Sequence, residues 1–186
     1  GATWTVFSNK YGNAMLEVLK SGTDKWYTFR WFDDEGRPKL VTDSAAVTGY
    51  DEAYTDLLGY SATTNKFEYL SDTEGMLQGT VYYTSTGSGA AKGYVHYEAL
   101  QLGQDGGVIK LKEYQYTEYT NGTSGSIFPV SKEILYPSDS VQTTTIETNY
   151  SYTFQSGQFQ IQERTTTLPA IPTSQQGSGT SNSFVD

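Results

Sequence analysis

The sequence predicts an all-β protein of antiparallel hairpins that form a twisted, barrel-like or shell-like sheet, with at most one short helix. Composition is the first reason. The 186 residues include 16 Tyr, 8 Phe and 3 Trp beside 19 Gly, and aromatic side chains suit a pleated surface while glycine suits the reversals between strands. The second reason is period-two alternation in several stretches, and the third is the Gly-, Ser- and Asn-rich clusters that separate them.

Taken in order, Trp4 and Val6 alternate with Thr5 and Phe7 at the start of the chain. A two-turn helix is expected over residues 51–59, with Asp51 as N-cap, Glu52 in the first turn, Leu57 and Leu58 facing inward and Gly59 as the stop. Residues 79–84 and 93–97 read as strands around the turn Ser85-Thr86-Gly87-Ser88-Gly89, and Gln104-Asp105-Gly106-Gly107 leads into a further strand over residues 108–116. The clearest hairpin places Ile146, Thr148, Tyr150, Tyr152 and Phe154 on one face, turns at Gln155-Ser156-Gly157-Gln158, and resumes with Phe159, Ile161 and Glu163. Pro169 and Pro172 then open a Ser-, Thr-, Gln- and Gly-rich stretch without apolar content. The expected division is a β-domain over residues 1–168 and a mobile linker over residues 169–186.

Charge and composition exclude several classes of function. A net charge of -9, with only 12 Lys and Arg, argues against nucleic acid as a partner, because affinity for phosphates comes from clustered cations. The absence of cysteine removes disulfides, thiolate metal sites and cysteine nucleophiles. No run reaches the roughly 18 apolar residues of a membrane-spanning helix, and Gly1-Ala2-Thr3-Trp4 lacks the regions of a signal peptide. The chain opens on an alternating strand and its last residues, Ser183-Phe184-Val185-Asp186, begin a new apolar run, so it reads as part of a larger polypeptide.

Three segments align without gaps: Ser8-Asn9-Lys10-Tyr11-Gly12-Asn13, Phe32-Asp33-Asp34-Glu35-Gly36-Arg37 and Ser71-Asp72-Thr73-Glu74-Gly75-Met76. Each has Asp or Asn, two variable residues and Gly. An Asx side chain accepts a backbone hydrogen bond from two residues on, and a glycine three positions later takes the left-handed conformation that reverses the chain. The second copy, after the aromatic lead-in Trp26-Tyr27-Thr28-Phe29-Arg30-Trp31, resembles the YD repeat of the RHS family, Y-D-x-x-G-R, with Phe32 in place of Tyr. The first copy is similar to a Y-D-x-x-G-N form in which Ser8 and Asn9 replace Tyr and Asp, and the third keeps only Asp72 and Gly75. The resemblance spans about residues 4–85 and implies a large exported or cell-surface protein of strand pairs wound into a curved sheet or shell. Its repeat-turn residues would be Asn9, Gly12, Asp33, Gly36, Arg37, Asp72 and Gly75.

Residues that might carry other chemistry are weaker candidates. Asp33-Asp34-Glu35 is the densest carboxylate group, but a calcium loop needs oxygens at more alternate positions, so no metal is expected. Asp33, Glu68, Asp72, Glu74, Glu98 and Glu113 could serve a glycosidase only as a facing pair, and spacing selects none. His96 is the only histidine, on one face with Tyr94 and Glu98, without a nucleophile motif beside it. Trp26, Tyr27, Trp31 and Phe32 flank one turn and could stack on sugar faces. Asn121-Gly122-Thr123 and Asn149-Tyr150-Ser151 match the glycosylation pattern by chance. The expected function is therefore a non-enzymatic scaffold, shell or binding segment of a secreted or cell-surface protein, without cofactor, its partners being the rest of a larger chain or surface glycans. A lipocalin-like or sandwich β-domain binding a carbohydrate or small apolar ligand is the alternative.

Overall fold

The computed structural model describes residues 1–122, 125–175 and 177–186. In chain order its strands are β1 (Thr3–Ser8), β2 (Ala14–Ser21), β3 (Asp24–Phe32), β4 (Pro38–Thr42), β5 (Tyr60–Ser61), β6 (Lys66–Phe67), β7 (Met76–Tyr82) and β8 (Val95–Leu102), then β9 (Ile109–Tyr116), β10 (Tyr119–Thr120), β11 (Ser126–Ile127), β12 (Val130–Leu135), β13 (Ile146–Phe154), β14 (Ile161–Thr167) and β15 (Ser183–Val185). Eleven form one antiparallel sheet in the order β1-β2-β3-β4-β7-β8-β9-β12-β13-β14-β15, while β5-β6 and β10-β11 are separate small hairpins. The all-β expectation thus holds, and the order is a meander in which β1 and β15 each have one neighbour among the described residues. None of the described helical residues builds a helix long and apolar enough to cross a membrane.

The chain divides into two compact units: Gly1–Thr80 with Ala99–Ile109, and Val81–Glu98 with Lys110–Asp186. In the first unit the strand register lines up Phe7, Leu16, Phe29, Thr42 and Leu77 as one row across β1, β2, β3, β4 and β7. Leu16 and Phe29 in that row are fully buried. They are covered by the long connection from β4 to β7, which contributes Ala46, Val47, Leu57, Leu58, Phe67 and Leu70 to the same core. Phe67 meets Phe29 edge-on at 5.6 Å and Trp31 at 5.1 Å between ring centres, geometries worth about 0.5–1.5 kcal/mol each beyond burial.

The connection stays in place through the Gln104 side chain. Its Oε1 accepts from the Phe67 N–H at 2.7 Å, and its Nε2 donates to the carbonyls of Phe67 and Leu70 at 2.9 and 2.8 Å. One amide side chain therefore satisfies three backbone groups that have no strand partner at that point. Lys66 adds a clasp, its ammonium reaching Asp72 at 2.9 Å and Asp105 at 2.7 Å.

The helix expected at 51–59 does not form. Asp51 does accept from the Ala53 N–H, but the backbone bonds run Tyr54 to Asp51, Leu57 to Tyr54 and Asp51 to Leu57, a succession of turns. Leu57 sits at φ 66°, outside helical space, and Asp56 gathers the amides of Leu58, Gly59 and Tyr60. Burying Leu58 completely outweighs the weak propensity of so short a segment.

The second unit has a different basis. Few of its side chains are buried, among them Ala91, Tyr116 and Ile134. Its strands are instead laced by cross-strand pairs: Lys112 with Glu133 at 3.1 Å, Lys132 with Glu147 at 2.8 Å, and Arg164 with Asp186. Lys112 also lies 4.7 Å from the Tyr114 ring centre and Arg164 5.9 Å from that of Tyr150. Residues 169–186, expected as a linker, carry a 3-10 turn at Thr173–Gln175 and return as β15 against β14. Gln176, within that stretch, and Thr123, in one glycosylation pattern, lie outside the described residues.

Two glycines separate backbone strain from steric contact. Gly12 (φ 83°) faces open space, whereas a Cβ on Gly75 (φ 76°) would stand 2.0 Å from the Ala46 nitrogen. Gly12→Ala should cost about 1–2 kcal/mol of left-handed strain, and Gly75→Ala more than about 3 kcal/mol because backbone must also shift. Urea unfolding of both variants measures the difference, and equal losses would sink the steric account.

Candidate functional site

The repeat-turn residues come first. Asn9 and Asp33 build the same turn at the ends of β1 and β3. The Asn9 N–H donates to the Asn13 carbonyl at 2.9 Å, its carbonyl accepts from Gly12 at 2.9 Å, and its Oδ1 accepts from the amides of Tyr11 and Asn13 at 2.9 and 3.0 Å. Asp33 repeats each bond with Arg37, Gly36 and Glu35, at 2.9, 3.0 and 2.8–3.0 Å. Gly12 and Gly36 share φ values of 83° and 81°. Both turns line one hollow of about 500 Å³, together with Lys10, Tyr11, Asp34 and Asp56.

Arg37 explains a difference between the two copies. Where the turn residue is the charged Asp33, the position after glycine is an arginine whose Nε donates to Asp33 Oδ2 at 2.7 Å. Where it is the neutral Asn9, that position is Asn13. The carboxyl of Asp33 lies below its ordinary value: burial alone would raise it, but the hydrogen bonds and charge of Arg37 and the Glu35 amide outweigh that. Glu35 also reaches Arg37 at 3.1 Å, so two of the three acidic residues are turned onto the one guanidinium.

The third aligned segment is built differently. Asp72 pairs with Lys66, and Ser71 Oγ accepts from the Thr73 and Glu74 amides. Gly75 instead belongs to a turn begun by Asp43. The Asp43 N–H donates to the Met76 carbonyl at 3.1 Å, Oδ1 accepts from Ala45 at 3.1 Å, and Oδ2 accepts from the Met76 amide at 3.1 Å. The Ala46 N–H takes the place of the glycine amide on the Asp43 carbonyl, at 3.3 Å. This is the Asx–Gly turn again, opened by residues 46–74. Sequence alignment missed it because Asp43 and Gly75 are far apart in the chain.

The four aromatic candidates part company. On β3, Tyr27 and Trp31 face the core side, where Tyr27 meets Tyr50 edge-on and Trp31 lies 4.7 Å from Tyr60. Lys39 covers the Trp31 ring at 4.2 Å. Phe32 ends the strand opposite Pro38. Trp26 points to the other face, where the register places it beside Leu19 and places Leu19 beside Trp4. The row Trp4, Leu19 and Trp26 is 68, 44 and 46 % exposed and lines a groove of about 640 Å³. Trp4 was not among the sequence candidates, because only the register of β1 on β2 brings it to that row.

In the second unit, His96 stacks on Tyr83 at 4.3 Å, with Nε2 3.7 Å from Glu113 Oε1. Glu113 also accepts from Lys110 at 2.7 Å and the Tyr136 hydroxyl at 2.9 Å. Burial would raise the Glu113 carboxyl, but those bonds and the neighbouring cations hold it below the usual value. Lys110 is held above its own, chiefly by the bond to Glu113. Among the described residues, the groups that bond to Glu113 in this knot are Lys110, Tyr136 and His96, and no serine, threonine or second carboxylate bonds to it. Among the described residues no three metal-ligating side chains converge.

Compared with known proteins, the chain matches no family model, no curated protein and no solved structure.

The acid limb of stability follows from the two depressed carboxyls. A group whose folded value lies below its unfolded one stabilises the fold above the unfolded value and loses that contribution as pH falls through the folded one. For Asp33 and Glu113 the loss lies below 3.8 and 4.5. Asp33→Asn keeps an Asx acceptor and should lower stability at neutral pH by about 1 kcal/mol while flattening the decline below about pH 4. Denaturant unfolding as a function of pH tests this; an acid limb parallel to that of the unsubstituted chain would show that Asp33 does not contribute to it.

Proposed function

We propose that this chain is a non-enzymatic scaffold segment of the YD-repeat kind, a run of strand pairs whose work is to hold a surface rather than to turn over a substrate. The observation that supports the reading most directly is the turn at Asn9 built again at Asp33 with the same four backbone and side-chain bonds. The opened form at Asp43 and Gly75 carries the device to the next reversal, between β4 and β7. The pairing of Arg37 with Asp33 gives the Asp-x-x-Gly-Arg pattern a physical reason, a charge held by two amides and neutralised by the residue that closes the turn. In such a protein the segment would be exported or stand at the cell surface, joined to the rest of a larger chain.

A second reading, a β-domain that binds a carbohydrate, draws on one specific feature: the row of Trp4, Leu19 and Trp26 on an open sheet face.

Equivalent repeats should exchange parts. Asn9→Asp combined with Asn13→Arg rewrites the first turn as the second, and should leave stability within about 1 kcal/mol of the original chain. Asn9→Asp alone should fall below the pair by about 0.5–1 kcal/mol, since the carboxylate then lacks its guanidinium. Chemical denaturation of the three chains decides it. A double variant that fails to fold, or that is no better than the single one, would count against the turns being copies of one module.

A further inference from the structure

The groove beside Trp4 and Trp26 has properties that select a ligand. Both indoles stand on the same face of the β1–β3 sheet, one strand apart with Leu19 between them. At about 4.7–4.9 Å between neighbouring strands, their attachment points are about 9–10 Å apart, close to the length of a disaccharide. Among the described residues neither ring makes an aromatic or cation contact, in contrast to Trp31.

Charge narrows the class. The charged groups lining the groove are Glu17 and Asp43, which disfavours phosphate, sulfate and anionic lipid. A cationic ligand is disfavoured too, because Glu17 is already paired with Arg30 and Asp43 is spent on the amides of Ala45, Ala46 and Met76. What remains are neutral hydroxyls, those of Thr28 and Ser44, the latter accepting from the Tyr27 N–H and so keeping its own proton to donate. Flat apolar rings, a rim of neutral hydroxyls and no unspent charge complement a sugar, whose C–H faces are apolar and whose edges are hydroxyls.

We propose that the outer face of β1, β2 and β3 binds a neutral, extended oligosaccharide laid across the strands, one sugar ring on Trp4 and another on Trp26. The proposal rests on the carbohydrate-binding reading and adds to it the place and the ligand class. The sugar chain crosses the strands because the indoles are displaced across strands and not along one.

The test is isothermal titration calorimetry of the full chain with cellohexaose, xylohexaose and chitohexaose, accompanied by tryptophan fluorescence. The expected result is binding of at least one of the three, weakened about tenfold or more by Trp4→Ala and by Trp26→Ala. Trp31→Phe, on the core side, should leave affinity unchanged. Both alanine sites are exposed, so their unfolding midpoints should stay near that of the unsubstituted chain. If none of the three sugars binds at millimolar concentration, both the site and the carbohydrate reading fail. Binding that survives both alanine substitutions keeps that reading and overturns the site. A dimer that Trp4→Ala dissociates, without sugar binding, assigns the face to a second copy and overturns the proposal.

Discussion

The first unit depends on the carboxylate of Asp43 holding two distant pieces of chain as if they were neighbours. With its own N–H on the Met76 carbonyl and its Oδ2 on the Met76 amide, it lets β7 pair with β4 in the register a short hairpin would give. Lengthening a loop from about four residues to about thirty is close to three doublings, which costs on the order of 2 kcal/mol in closure entropy. The inserted segment offsets this by burying Val47, Leu58, Phe67 and Leu70, each worth about 1.5–3 kcal/mol when fully enclosed. Because the insertion covers one sheet face, the opposite face around Trp4 and Trp26 is the one left to solvent.

The two units solve the same problem with different forces. One gathers a hydrocarbon and aromatic core between a sheet and a stitched connection; the other spreads lysine–glutamate pairs and tyrosine contacts over its strands. Exposed ion pairs are individually weak, and their value lies in register: shifting a strand by one residue would move each charge to the wrong face. Register held in this way does not depend on burying a side chain beneath every strand.

Much of the strand pattern was legible because alternation is local. The hairpin of β13 and β14 could be read from Ile146 to Glu163, with the turn at Gln155 and Gly157, since each side chain's face follows from its neighbour's. The turn at Asp33 was legible for the same reason, its acceptor, glycine and arginine lying within five residues. What could not be read depended on distance or competition. Asp43 works with a residue on the far side of an insertion, Trp4 joins Trp26 only through the register of two intervening pairings, and the segment from Asp51 to Gly59 has helical end signals that its buried leucines override. The neighbours of His96 were equally hidden, because Glu113 and Tyr136 arrive from separate strands and loops.

The nearness of Gly75 to Ala46 has an implication for how such a chain diversifies. Both ends of the inserted segment emerge side by side from a reversal that Asp43 already closes, so the underlying hairpin fixes where the segment leaves and returns but not how long it is. Such a position behaves as a socket. A lineage, or an engineer, can lodge a new cassette there when its two termini lie close together and its apolar side chains again cover Leu16 and Phe29, changing what one side of the sheet carries above the same strand register.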